Sequence, residues 1–249
     1  MANNGMPGFS AERVATPRDI LMTIQGRQLG VTLGVISGSD ARDSGNTGNL
    51  DVLRAGKVVS KDTVLKNDGK WKPTIVGVLT ANADASAVSI TVSAAQAVEI
   101  NRRYGGAGTE EIYICDDVNI GSDEDMVVNA FEALTHSAIN TSTGVITVSA
   151  LVADYKAGAF IIASEAVKNT FDLGGNLELT PTTLIYSRYG IKVTDTDGTS
   201  IDVPFEKILV SGHINTAMII DYPSNLGLAR WLKRQLRNHT LGYVFSDDI

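Results

Sequence analysis

The sequence predicts a mainly β protein with a few short helices, a β-rich α+β chain built on a small β-barrel or sandwich core. Three observations lead there. Val, Ile and Thr recur in short bursts, glycine is frequent at 24 residues, and aromatic side chains make up only 6% of the chain. Branched side chains suit a pleated strand and glycine suits the tight turns between strands. The pattern therefore describes many short strands.

The chain of 249 residues has room for one large β domain or two smaller ones, and either buries an adequate core without a metal or a disulfide. A net charge of −7 opposes general affinity for nucleic acid, whose binding rests on neutralising phosphates. No apolar run approaches the roughly 20 residues of a membrane helix, and the first 19 residues lack the apolar centre of a signal peptide, so the protein is expected to stay where it is made. Cys115 is the single cysteine and cannot form an internal disulfide. It reads as a small core residue of a reducing compartment.

Taken in order, residues 1–19 carry two prolines and no periodicity, and read as an extended arm with Met6, Phe9 and Val14 as apolar anchors. Ile20 to Ile24 and Val31 to Ile36 read as strands. The stretch Ser37 to Asn49 is so rich in Gly, Ser, Asn and Asp that it is expected to be an exposed loop. Two β-branched runs, Lys57 to Ser60 and Ile75 to Leu79, flank the turn residues Lys66 to Gly69, a hairpin-like scaffold. The pentapeptide Ile-Thr-Val-Ser-Ala then occurs twice, at Ile90 and at Ile146. Each copy leads into a short segment able to form a helix capped by Ser93 or Ser149, then an Ala-Gly pair ending at Gly108 or Gly158, then an apolar strand.

Between the copies, Glu110 to Asp125 carries seven acidic residues and no basic one. Ser122 is a suitable N-cap, and Met126, Ala130, Phe131 and Leu134 fall at helical spacing, predicting a helix up to His136. Further strands are expected at Leu184 to Ser187, Ile191 to Thr194, Ser200 to Val203, Lys207 to Val210 and Ile214 to Ile220, with Asp195 to Gly198 as a hairpin turn. The clearest helix runs from Ser224 to His239. Leu228, Trp231, Leu232 and Leu236 form its apolar face, Arg230, Lys233, Arg234 and Arg237 supply positive charge, and a final strand follows Gly242.

Reactive chemistry is poorly represented. His136, His213 and His239 lie far apart without triad or metal-ligand spacing, and His136 and His239 are expected near helix C-termini, where an imidazolium is favoured by the dipole. Ser211-Gly-His213 lacks the hydrolase elbow. Gly105 to Gly108 lacks the Lys-Ser/Thr of a phosphate loop, and Asp195 to Gly198 lacks the later ligands of a calcium loop. The basic helix is the one charged feature suited to a partner, either an acidic protein surface or the Glu110 to Asp125 region of another copy. Its simpler reading is a solvated outer face.

Three segments, Val52-Leu-Arg-Ala-Gly-Lys-Val-Val59, Gly69-Lys-Trp-Lys-Pro73 and Ile75 to Ala85, together with Ile208 to Ala217, resemble the head decoration proteins of tailed bacteriophages, the lambda-like capsid-stabilising family. About a third of the chain is covered. The resemblance implies a non-enzymatic virion protein, made in the host cytoplasm, without cofactors, that seats as a homotrimer on the major capsid protein and cements the expanded shell. It divides the chain into an arm (1–19), a decoration-type core (20–100 and 174–222), an inserted α+β region (101–173) and a basic C-terminal helix and strand (223–249). Phe9 and Arg13 are the expected capsid contacts; Arg230, Trp231, Lys233 and Arg237 are the expected partner or inter-subunit contacts, with Trp231 anchoring the helix. The alternatives are a tail, baseplate or head-fibre protein and, in another class, a hydrolase using scattered carboxylates.

Overall fold

The computed structural model describes residues 28–63, 68–116, 130–168, 177–187, 189–238 and 242–248. The first half holds β1 (Gln28–Ile36), β2 (Val52–Leu53), β3 (Val58–Lys61), β4 (Trp71–Pro73), β5 (Ile75–Val78) and β6 (Ser89–Thr91), followed by α1 (Ala94–Tyr104) and β7 (Gly108–Asp116). Next come β8 (Ala130–Asn140), β9 (Val145–Val148), β10 (Phe160–Ala163), β11 (Val167–Lys168), β12 (Glu178–Leu179) and β13 (Thr182–Leu184). The chain closes with β14 (Ile191–Lys192), β15 (Val203–Ile214), α2 (Leu226–Asn238) and β16 (Gly242–Phe245).

Two six-stranded sheets form the framework, ordered β13-β3-β4-β1-β15-β16 and β5-β10-β7-β8-β9-β6, with two small ribbons, β11-β12 and β14-β2. The fold is mainly β, and neither sheet closes into a barrel among the described residues. The first sheet packs against a core on each face around β3 and β13, while Pro204, His213 and Val244 at its β15–β16 edge are exposed. Alternate side chains go to opposite cores: Val58, Leu184 and Ile214 join the large cluster shared with the second sheet, while Val59, Ile185 and Phe205 join Ile36, Leu53, Trp71 and Val193 in a smaller one. Trp71 meets Phe205 edge-on at 5.4 Å there.

The mainly β expectation holds, and its details divide. The run Lys57 to Ser60 does pair in a hairpin, but with Trp71–Pro73 rather than with Ile75 to Leu79. At Thr74 the chain leaves the first sheet, and β5 enters the second, pairing with β10. The Thr74 hydroxyl lies 2.6 Å from that of Ser60, and its backbone bonds Val58 on one side and Ala163 on the other, so this crossing residue satisfies both sheets.

The two pentapeptide copies are neighbours in space: Ile90 pairs with Ile146 across β6 and β9, and β7 and β10, the strands that follow them, pair with each other. Only the first copy builds the helix. Ser93 and Gln96 form a reciprocal capping box on α1, and Gly105, at φ +80°, ends it. The terminating glycine is thus Gly105 rather than Gly108, which opens β7. After Ser149 the chain instead runs as a ribbon against residues 83–88, with Tyr155 bridging Ala83, because backbone pairing there replaces helical bonds.

The segment expected to be helical up to His136 is strand β8 from Ala130 onward. Its spacing of apolar residues fits both periods over so short a run. Pairing on both edges, with β7 and β9, decides the outcome in favour of the strand. Residues 117–129, including Ser122 and Met126, lie outside the described residues, as do Ile20 to Ile24.

In the last third, Ser200 to Val203, Lys207 to Val210 and Ile214 to Ile220 do not form three strands. One long strand, β15, spans Val203–Ile214, and a 3-10 turn at Thr216–Met218 follows, capped by Asn215. The run Leu184 to Ser187 is shifted as well, β13 being Thr182–Leu184; of the next run Ile191–Lys192 forms strand β14, and Thr194 makes an isolated bridge to Ser200. Asp195 to Gly198 is the expected turn: the Asp195 carboxylate accepts from the N–H groups of Asp197 and Thr199, and Gly198 sits at φ +80°.

Candidate functional site

The stretch Ser37 to Asn49, expected to be exposed, is packed over Ser37 to Ser44 apart from Ser39 and the half-buried Arg42, and is exposed as expected at Gly45, Thr47 and Gly48. Ala41 and Asp43 are fully buried and Ser37 nearly so. Polar residues become packable when each is paired, and in this loop Ser37, Asp40, Arg42, Asp43 and Asn46 all have side-chain partners. Asp43 accepts a bidentate contact from Arg54, with Nε at 2.7 Å and Nη2 at 3.0 Å. Burial opposes the Asp43 charge, but the Arg54 guanidinium and the Lys57 ammonium outweigh it and hold the carboxyl below its ordinary range. Arg42 donates to the carbonyls of Gly38 and Ala41, to the Ser200 hydroxyl and to Asp51. Gly38 fits against the Ile201 backbone so closely that a side-chain carbon would lie 2.2 Å from its carbonyl oxygen.

A second group of ion pairs crosses between elements. Lys72, 1% exposed, reaches Asp62 at 2.8 Å, Asp68 at 3.1 Å and Asp40 at 3.5 Å. Lys57 pairs with Asp221 at 2.7 Å. Burial disfavours both ammonium groups, yet the surrounding carboxylates raise their pKa above the ordinary lysine value. The last turn of α1 supplies two arginines: Arg102 binds Glu99 and the Ser39 carbonyl, and Arg103 binds Glu165 at 2.7 Å and the Pro73 carbonyl at 3.0 Å. These contacts fasten α1, the first-sheet strand β4 and the end of β10 to one another. Burial works against the Glu165 charge, and the Arg103 guanidinium still keeps that carboxyl below its usual range.

Of the expected contact residues, Phe9 and Arg13 lie outside the described residues. Arg230, Trp231, Lys233 and Arg237 all fall on α2, which starts at an Asn225 cap whose side-chain oxygen accepts from the Leu228 N–H. Trp231 anchors the helix as expected. It is 1% exposed, and its indole N–H donates to the Leu177 carbonyl at 2.9 Å. The charges are less outward than the sequence suggests. Lys233 is buried, pairs with Asp247 at 3.2 Å and lies over the Phe245 ring; Arg237 also stacks on Phe245, at 5.1 Å, and donates to the Tyr243 carbonyl. Both thus tie α2 to β16 within the chain. Arg230 and Arg234 share a helix face with Leu226, which is 57% exposed. Two further apolar side chains stand out at one end of the second sheet, Val152 at 82% exposed and Val88 at 58%.

Cys115 is fully buried, and desolvation pushes its thiol well above the ordinary range, as an inert core residue requires. His136 does sit at a helix C-terminus, though that of α1: its Nε2 lies 3.2 Å from the Gly105 carbonyl. The ion-pair system was not legible in the sequence, because its partners are 11, 62 and 164 residues apart for Arg54–Asp43, Arg103–Glu165 and Lys57–Asp221. No helix among the described residues is long and apolar enough to cross a membrane. No protein family, no curated protein and no solved structure matches the chain.

Proposed function

We propose that the chain is a structural, non-enzymatic assembly protein whose function is carried by its surface. Within that class, our reading is a capsid decoration protein of a tailed bacteriophage, seated as a homotrimer on the major capsid protein and stabilising the expanded shell. The observation that carries this reading is the placement of the decoration-like segments: Val52 to Val59, Gly69 to Pro73 and Ile75 to Ala85 supply β2 to β5, of which β3 and β4 lie in the first sheet, β5 crosses into the second and β2 forms the ribbon with β14. The segments resembling the family are therefore the framework. Buried ion pairs at Asp43, Lys57, Lys72 and Arg103 fix the framework's loops in one geometry, which suits a rigid block presenting contacts to a lattice. The arm with Phe9 and Arg13 and the outer face of α2 with Arg230 supply those contacts.

Co-sedimentation of the purified chain with expanded, undecorated capsids tests the reading. Saturable binding at a fixed ratio to the major capsid protein is expected, together with a trimer by light scattering. Absence of binding to shells, alongside saturable binding to isolated tails or fibres, would transfer the protein to the tail, baseplate or head-fibre class.

A further inference from the structure

At the C-terminal end of α1, two buried polar atoms have no hydrogen-bond partner among the described residues: Nδ1 of His136 and Oε2 of Glu111. His136 is 1% exposed, and its Nε2 contacts the Gly105 carbonyl. A carbonyl can only accept, so Nε2 carries the proton and Nδ1 of the neutral ring is a bare lone pair. Both side chains line the space over Gly108. A side-chain carbon at that position would lie 2.0 Å from Oε2 of Glu111 and 2.7 Å from Cε1 of His136. The backbone is bent to bring them there: the β7–β8 register shifts between Gly108 and Ile112, and Glu110 occupies the left-handed region at φ +56°, a costly conformation for a non-glycine residue.

We propose that Glu111 and His136 form a proton-operated latch. When His136 takes a second proton from solvent, it does so at Nδ1 and donates it to Oε2 of Glu111. The neutral ring and carboxylate become an imidazolium–carboxylate pair, with no other bond made or broken, and the bulge of β7 is tied to β8 and to the end of α1.

Other charged groups lie on the elements packed around the pair. From β7 the site faces Glu110 and Glu111. From α1 come Glu99, Arg102, Arg103 and Tyr104, with Arg102 held by Glu99 and Arg103 by Glu165, and β9 carries no charged residue. The carbonyl end of α1 adds its negative dipole. The exposed residues Gly105 to Ala107 give protons a short path. A metal ion fits less well, since two side chains fall short of the three or four ligands a zinc site uses.

The test uses the full chain labelled with 15N-histidine, with the His136 resonances assigned by H136Q, across about pH 5 to pH 8. As pH falls, both ring nitrogens of His136 should become protonated. Protection of the Thr109 to Ile112 amides, corrected for intrinsic exchange, should rise about tenfold in step. E111Q removes the acceptor charge, and G108A displaces the carboxylate while keeping both charges; each should abolish the rise. Because the two variants act by different means, failure of one to fold leaves the other to decide. A His136 titration identical in the wild type and the folded variant, or protection that does not follow it, overturns the latch.

Discussion

Removing Arg103 should cost more than removing any surface charge, because its partner would be left in the interior. The Arg103 and Glu165 side chains are 1% and 2% exposed. Arg103 makes contacts of 2.7 and 3.2 Å to one Glu165 oxygen and donates to the Pro73 carbonyl, while the Tyr104 hydroxyl holds the other oxygen at 3.1 Å. In Arg103→Met, Glu165 keeps the Tyr104 hydroxyl and a backbone N–H as donors but loses its paired guanidinium, and the Pro73 carbonyl loses its side-chain partner. Breaking a buried pair from one side costs about 3–5 kcal/mol, whereas replacing both charges by apolar groups is often close to neutral. Set against the roughly 5–15 kcal/mol of a typical domain, either single change removes a large share of stability. Urea unfolding of the wild type, R103M, E165L and the double variant closes the cycle. The expected result is two large single losses and a double loss smaller than their sum. Single losses below about 1 kcal/mol, or strict additivity, would refute the claim that this pair locks α1 to the sheets.

Trp231→Ala should destabilise by about 3–5 kcal/mol as a large core truncation. Trp231→Phe should lose about 1 kcal/mol for the hydrogen bond to Leu177, on top of its packing change; equal urea midpoints for wild type and W231A would count against α2 as a docked element. The carboxyls of Asp43 and Glu165 are held below their ordinary range in the folded state. Their contribution is therefore fully present above the unfolded value near pH 4 and is lost as pH falls through the folded values. Stability should hold flat down to about pH 5 and drop below pH 4, with a shallower drop in D43N; a drop of the same steepness in D43N would contradict the assignment.

What the sequence made legible follows from distance along the chain. The Ser93 cap, the Asp195 to Gly198 turn, the apolar face of α2 and the β16 strand are written in neighbouring residues, and each is found. Where several pairings compete, local pattern failed. Phe131 and Leu134 fit a helix until β7 and β9 claim both edges of β8, and Ile75 to Val78 fits a hairpin until Thr74 sends it to the other sheet. The packed state of residues 37–44 was invisible for a different reason. A loop of Asp, Ser and Gly is buried only because Arg54, Lys72 and Arg102 arrive from elsewhere to pair with it. The candidate contact face was half legible: Trp231 anchors as expected, while Lys233 and Arg237 face β16, a strand that the sequence does not place against them.

Thermal dissociation of expanded capsids, followed by light scattering with and without the protein, tests the cementing claim most directly. A ligand that binds only the assembled shell stabilises it by about 2.7 kcal/mol per site at a hundredfold excess over Kd. The proposed function predicts a dissociation temperature that rises and then saturates at a fixed ratio of protein to capsid subunit. A dissociation temperature unchanged at saturating occupancy would contradict it.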